Sequence, residues 1–179
     1  NGRLMAKFIT LSNIESSNPE AVKKGNERVI RPRLSDAKFF WDKDKSKNLI
    51  KQIIKLKDVK FYESLGSIYD KTQRLRKLSG MLADELNLNK EKVEIAASIS
   101  KSDLCSDLVH EYPDLQGLMG KYFAKSQGFE DDVSNAVSDH YLPTGTNSLT
   151  TRKPVSYTVA IADKIDTLVG FFMINEKPT

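Results

Sequence analysis

From residue 61 onward the chain repeats apolar residues every three or four positions, and this spacing constrains the fold more than any other feature. Such a period places apolar side chains along one face of an α-helix. The first predicted helix covers residues 61–86. Four more are predicted over residues 90–112, from residue 115 to just before Gly128, and over residues 130–140 and 155–173. A Pro-, Gly- and Thr-rich loop is expected at residues 142–153. The pattern therefore predicts a five-helix, all-α domain.

The preceding residues lack this regular spacing and are predicted to be mixed. Residues 4–12 combine β-branched, aromatic and apolar side chains after a glycine, which predicts a strand. Asn18 and Pro19 suit a helix cap and a first helical residue. We expect that helix to break or bend near Pro32 and to resume over residues 36–41, and a long basic helix to follow over residues 43–57. The predicted domains are residues 1–57, the end of an amino-terminal α+β domain with a basic helical link, and residues 58–179, the all-α domain.

Charge is distributed unevenly within the net value of +4. Residues 1–60 carry 15 Lys and Arg against 7 Asp and Glu, whereas residues 61–179 carry 13 against 17. A basic surface attracts polyanions, and phosphate contacts dominate nucleic-acid affinity. Pairing with nearby carboxylates such as Asp36 is the alternative. The candidate phosphate-binding residues are Arg28, Arg31, Arg33, Lys38, Lys43, Lys47 and Lys51.

Composition also limits the class of protein. No apolar run approaches the roughly 20 residues that a membrane-spanning helix needs. The single Cys105 excludes an internal disulfide, and with no secretory signal at the start this predicts a reducing, cytoplasmic setting. There is no Gly-rich phosphate loop. Further expectations are that Phe39, Phe40 and Trp41 dock the link onto the helical domain, that Gly117 and Gly120 permit close helix packing, and that His140 is a cap or surface residue.

Aspartates interrupt three of the apolar helical patterns, where an unpaired charge is costly. They are Asp70, Asp103, and Asp163 with Asp166. One interpretation is a metal or phosphate site formed where three helices converge. The other is a set of buried pairs with lysines, because each aspartate has a lysine one or two residues away.

The spacing and helix order resemble the HD phosphohydrolase superfamily, which holds a divalent metal with a His, a His-Asp pair and a final Asp. IADKID at residues 161–166 is similar to that family's closing helix. Ser102-Asp103 stands in place of the His-Asp pair and Asp70 in place of the first His, and serine is a poor ligand beside imidazole. The resemblance implies an HD-like helical bundle that has lost its metal. The positions of this degenerate site are Asp70, Ser102, Asp103 and Asp163.

Seven motifs stand in order along nearly the whole chain: NIES at 13–16, GNERVIRPRLSDAKFF at 25–40, DKT at 70–72, SKSDL at 100–104, LQGLMG at 115–120, HYLP at 140–143 and ADKIDTL at 162–168. Together they resemble the beta subunit of bacterial glycyl-tRNA synthetase, of which this chain would be an interior segment. The resemblance implies a class II enzyme with two alpha and two beta subunits. The alpha subunit would use ATP and Mg to activate glycine, and the beta subunit would hold tRNA(Gly). No cofactor is then expected in this segment.

Three functions follow from these patterns. The favoured hypothesis is a non-catalytic, tRNA-binding segment of a glycine–tRNA ligase. The second is a metal-dependent HD-type phosphohydrolase that uses Asp70, Asp103 and Asp163. The third is a structural connector between domains, which predicts that Arg31 and Arg33 are buried in ion pairs.

Overall fold

The computed structural model describes residues 5–176 of the chain. Its contacts divide the chain into two compact units, Asn1–Phe39 and Phe40–Thr179. The described residues form eight α-helices and a two-stranded hairpin, which confirms a mainly α fold. Residues 40–57, assigned to the link in the sequence-based prediction, cluster with the helical unit.

The first unit consists of an irregular segment followed by most of helix α1 (Pro19–Lys45). The predicted strand is wrong over residues 5–12, which are exposed and form no strand, while residue 4 lies outside the described residues. A strand needs hydrogen-bonding neighbours, and none of the described residues supplies one here. The predicted helix start is confirmed, since the Asn18 side chain accepts the amide hydrogen of Ala21.

Helix α1 continues through Pro32, so the helix does not break there, and residues 36–41 are helical as predicted. A proline inside a helix cannot donate to the carbonyl four residues earlier, which here belongs to Arg28. Pro32 is exposed, and an exposed site allows water to solvate that carbonyl.

The long basic helix predicted over residues 43–57 is three shorter elements. Helix α1 ends at Lys45, α2 spans Leu49–Gln52, and a 3₁₀ helix spans Ile53–Asp58. The Asn48 side chain starts α2 by accepting the amide hydrogen of Lys51. Leu49 and Leu56 are buried, so this region is anchored in the core of the second unit.

A hairpin of β1 (Lys60–Tyr62) and β2 (Gly66–Ser67) precedes the next helix, where continuous helix was predicted. Phe61 and Tyr62 pack against Phe171, with ring centroids 6.0 and 5.1 Å away. Gly66 has a φ of 84°, a conformation that glycine adopts without strain. Helix α3 (Ile68–Glu85) starts after the turn with a capping box between Ser67 and Asp70.

The helix predicted over residues 90–112 is also interrupted. It consists of α4 (Lys90–Ile99), a 3₁₀ helix (Ser102–Cys105) and α5 (Asp107–Glu111), before another 3₁₀ turn (Pro113–Leu115). Ser106 accepts the amide hydrogen of Val109 and donates to the carbonyl of Asp103. Serine and aspartate side chains compete with helical hydrogen bonds in this way, which explains the interruption.

The last three helices agree with the predicted ones: α6 (Leu118–Ser126), α7 (Asp131–Asp139) and α8 (Pro154–Met173). Helices α3, α4, α7 and α8 pack on one another, and α6 packs on α7. Fully buried core side chains include Leu75, Val93, Ile99, Phe123, Val137 and Val159. Trp41 stacks on Phe123 at 5.3 Å between centroids, so it docks on the helical unit as predicted, whereas Phe39 is 63% exposed.

Candidate functional site

Four cations of the first unit lie along one side of α1. Lys24, Arg28, Arg31 and Lys38 are all exposed. Their spacing of four, three and seven residues keeps them within one helical face, and at 1.5 Å per residue the stripe is about 21 Å long. Glu27 borders the stripe and is half-buried. We call Lys24, Arg28, Arg31 and Lys38 the basic stripe; Lys24 was not selected from the sequence.

The other cations predicted to bind phosphate do not lie on this face of α1. Arg33 is exposed but lies on another side of α1, five residues after Arg28. Because Arg31 and Arg33 are both exposed, the connector hypothesis is wrong in predicting that they are buried. Lys51 is exposed in the first turn of α2.

Lys43 and Lys47 are held in ion pairs within the second unit. Both ammonium groups contact the carboxylate of Asp107, at 3.0 and 2.7 Å, and Lys47 also lies 2.6 Å from Asp44. Lys47 and then Lys43 hold the pKa of Asp107 well below its usual range. The buried Asp44 accepts the amide hydrogen of Leu108 and so ties the end of α1 to α5. These two lysines are therefore engaged by carboxylates of the protein itself.

The aspartates of the helical unit form a buried ion-pair cluster, which we call the lysine cluster: Lys71, Lys101, Asp163 and Asp166. Lys71 Nζ lies 3.0 Å from Asp163 Oδ1 and 3.1 Å from Asp166 Oδ2. Lys101 Nζ contacts the other oxygen of Asp163 at 3.2 Å. The two lysine side chains are only 4% and 6% exposed. Each ammonium thus reaches α8 from a different part of the chain.

Protonation in the cluster follows from burial and from the mutual pairing. Burial lowers the pKa of Lys101 to about 8, against the attraction of Asp163. Burial raises the pKa of Asp163, but the charges of Lys101 and Lys71 outweigh burial and lower this pKa to about 2. Lys101 also lies 4.1 Å above the ring of Tyr141, a cation–π contact. At neutral pH the cluster therefore contains an ionised Asp163 in contact with Lys71 and Lys101.

The alternative interpretation of buried Asp–Lys pairs is correct for Asp163, but the lysines come from elsewhere in the chain. The sequence neighbour Lys164 instead donates to the carbonyls of His140 and Leu142. Sequence proximity did not indicate the partners, since Lys71 and Lys101 lie 92 and 62 residues away.

Asp70 is not brought to the cluster. Its carboxylate accepts from the backbone amide and hydroxyl of Ser67 at 2.8 and 2.7 Å, in the first turn of α3. The Ser67 hydroxyl lowers the pKa of this carboxyl, and its position at a helix amino terminus favours the same charge. Asp70 is a capping residue, and its neighbour Lys71 is the side chain that reaches Asp163.

Asp103 holds two helix-terminal amides in place. Its Oδ2 accepts the N–H groups of Gly117 and Gly120, at 2.6 and 3.1 Å. Its Oδ1 and the hydroxyl of Ser102 are buried with no hydrogen-bond partner among the described residues. Burial raises the pKa of Asp103 to about 6 despite the two amide hydrogen bonds. Asp103 therefore fixes the start of α6.

His140 is fully buried, so it is not a surface residue, but it is the C-cap residue of α7, which confirms the other predicted role. Its Nδ1 lies 3.1 Å from the carbonyl of Ala136 and 2.9 Å from that of Val137. Burial, and then the Lys101 ammonium, hold its pKa well below the ordinary value. A neutral His140 donating from Nδ1 satisfies the end of α7, where carbonyls lack helical partners.

This arrangement is suited to neutralising charge inside the fold. Among residues 5–176 no three His, Cys, Asp or Glu side chains are grouped to hold a metal ion. Protonated lysines have no lone pair for a metal, and here they occupy both oxygens of Asp163. None of the helices in the described part of the chain has the length and hydropathy that a membrane span requires.

Comparison with known proteins identifies the family of this chain. The family model described as glycyl-tRNA synthetase beta subunit matches residues 1–179. The chain is 42% identical over 178 residues to the glycine–tRNA ligase beta subunit of Pseudomonas fluorescens, covering 99% of this chain and 26% of that protein. It is 43% identical over 178 residues to the subunit of Hahella chejuensis, with the same coverage. For Phenylobacterium zucineum the identity is 44% over 183 residues, covering 99% of this chain and 27% of the relative.

The chain spans about a quarter of the length of the curated relatives it matches, at 26–27%. The matches extend over both structural units, including the basic stripe and the lysine cluster. The chain belongs to the glycyl-tRNA synthetase beta subunit family.

Proposed function

We propose that this segment is a non-catalytic, tRNA-binding part of a cytoplasmic glycine–tRNA ligase. The alpha subunit would carry the class II catalytic site, with ATP and Mg, in an assembly of two alpha and two beta subunits. The observation that carries the proposal is the basic stripe, four exposed cations along one face of α1. The relatives are beta subunits of glycine–tRNA ligase, so tRNA is the nucleic acid that such a stripe would contact.

A row of cations along one helical face suits the phosphate backbone of an RNA stem. Structured RNA is bound largely through phosphates and shape, because its deep major groove is closed to side chains. Arg28 and Arg31 present planar guanidinium groups, which can contact phosphate oxygens through two hydrogen bonds at once. Phosphate contacts position the RNA without reading its sequence. The stripe would therefore contribute affinity and orientation, and identity would be read elsewhere.

The lysine cluster supports the non-catalytic part of the proposal. Its charged groups contact one another at 3.0–3.2 Å, and their side chains are at most 13% exposed. A catalytic acid, base or metal ligand needs a site that a substrate can reach. In the proposed function this cluster stabilises the helical unit and takes no part in the ligase reaction.

The proposal predicts the behaviour of Arg28→Glu/Arg31→Glu in the assembled enzyme. The dissociation constant for tRNA(Gly) should rise at least about tenfold at moderate salt, and the slope of log affinity against log salt should fall by about two. Filter binding at several salt concentrations measures both. ATP–pyrophosphate exchange with glycine should be unchanged, because the alpha subunit would perform activation.

Arg76→Glu/Lys77→Glu is the matched control, since it changes the charge equally on the exposed surface of α3. It should alter tRNA affinity far less. An unchanged dissociation constant and salt slope in the α1 variant would refute the assignment of Arg28 and Arg31. An equal loss in both variants would show that net charge, rather than the stripe, determines binding.

A further inference from the structure

Helix α8 has an apolar outer face. Ile161, Ile165, Leu168, Val169, Phe172 and Met173 recur at helical spacing, and their exposed fractions run from 40% for Ile165 to 80% for Met173. The inner side of the same helix is also apolar, with Val155, Val159 and Ala162 buried in the core. A surface helix usually carries polar residues on its outer side, whereas a helix that is apolar all round is buried.

The charged residues of α8 contact other elements of the helical unit. Asp163 and Asp166 are bound by Lys71, and Lys164 donates to carbonyls at the end of α7. From residue 167 to Met173 the helix has no charged residue at all. The charged residues of α8 thus pair with other elements of the unit, and Asp166 also lies at one edge of the outer face, which is otherwise apolar.

The outer face continues onto the neighbouring elements as a groove. Leu65 of the hairpin turn and Leu78 of α3 line it together with Ile165, Val169 and Met173, enclosing about 420 Å³. Arg74 and Asp166, joined by an ion pair of 2.6 Å, form its polar edge. A continuous apolar patch with a polar rim is typical of a protein–protein or interdomain contact.

We infer that this face is covered by another part of the same beta subunit polypeptide. The inference rests on family membership and is independent of the tRNA proposal. The relatives are about four times longer than this chain, which covers 26% of them, so most of a beta subunit is available to cover it. Tethering on one chain gives a covering segment a high effective concentration. An apolar face with charges only at its edge resembles half of a protein core, as the surfaces of permanent contacts do.

The alternatives to an intrachain cover are the alpha subunit and a second beta subunit. Either would leave the face exposed in a newly made beta chain until assembly, and large exposed apolar patches promote aggregation. An intrachain segment covers the face as soon as the chain folds. Early covering of the apolar face therefore favours an intrachain segment over either subunit.

Photo-crosslinking in the full-length beta subunit tests the inference. With benzoylphenylalanine at position 168, replacing Leu168, irradiation of the isolated subunit should give an internal crosslink. Its peptides should join α8 to residues outside this segment, without a change in molecular mass. Leu149, which is 85% exposed in the loop before α8, is the control position and should crosslink little.

Leu168→Asp in the same full-length subunit supplies a second measurement. Hydrogen exchange of the α8 amides should become severalfold faster and extend to the crosslinked segment, whereas Leu149→Asp should leave α8 unchanged. A crosslinked product of doubled mass would assign the face to a second copy. Crosslinking that appears only when the alpha subunit is added would assign it to that subunit. Either result, or the absence of crosslinks with unchanged exchange, would overturn the inference.

Discussion

Asp163 is the residue whose replacement tests the lysine cluster most directly. In Asp163→Asn, Lys101 loses the carboxylate 3.2 Å away and remains buried, while Lys71 retains Asp166 at 3.1 Å and the Thr167 hydroxyl at 2.7 Å. Removing one partner of a buried ion pair costs about 3–5 kcal/mol. Because only one of the two lysines is stranded, we expect a loss near the lower limit, about 3 kcal/mol.

The assay is urea unfolding of the 179-residue chain at pH 7, followed by circular dichroism. Adding Lys101→Met to Asp163→Asn should restore about 2 kcal/mol, because methionine fills a similar volume and removes the stranded cation. Asp84→Asn is the control, since Asp84 pairs with Lys90 while 56% exposed. That exposed pair should contribute less than about 1 kcal/mol.

The comparison of single and double variants isolates the interaction. If the changes in unfolding free energy of Asp163→Asn and Lys101→Met add to that of the double variant within about 0.5 kcal/mol, the two charges do not stabilise each other. That result would contradict the pairing of Asp163 with Lys101. A cost for Asp163→Asn no larger than that of Asp84→Asn would refute it equally.

Two further predictions concern Asp103 and its surroundings. Its pKa of about 6 lies above the ordinary 3.8, so the folded state binds the proton more tightly and stability should fall as the pH rises from 4 to 6. Asp103→Asn should flatten that part of the urea-unfolding profile, by about 3 kcal/mol over the interval; an unchanged slope would contradict the assignment. A Cβ at Gly120 would lie 2.6 Å from Val137 Cγ1 and 3.0 Å from Asp103 Oδ2, so Gly120→Ala should cost about 1–3 kcal/mol. Thermal unfolding measures this, with Gly145→Ala, which meets nothing within 4 Å, as the control whose melting temperature should hardly change.

Apolar spacing predicted helices where local and tertiary preferences agree. Helices α6, α7 and α8 lie where the three- and four-residue period places them. The same period was misleading around Phe61 and Leu65, which belong to a hairpin and its turn. A helical period and a short strand pair can place the same residues against a core, and here Phe61 and Tyr62 contact the ring of Phe171 from the hairpin.

The interruption after Ile99 had a different cause. Ser102, Asp103 and Ser106 have side chains that compete with helical hydrogen bonds, yet their apolar neighbours continue a helical period. The Asp103 carboxylate accepts hydrogen bonds from the amides of Gly117 and Gly120, which are remote in sequence. The local sequence around Asp103 therefore does not predict these bonds. Pro32 shows the reverse case, because a strong local breaker lies inside a continuous helix.

Residue order and composition alone indicated the family, the mainly α fold and the concentration of positive charge before residue 61. These are properties of residue order and composition, and they need no knowledge of which segments meet. Only the tertiary structure decided that Lys71 rather than Asp70 reaches Asp163, that Lys43 and Lys47 pair with Asp107, and that His140 is buried. Ion pairing and burial depend on distances between segments remote in the chain. Consecutive helical residues such as Asp70 and Lys71 point in different directions, so only one of them reaches a given partner.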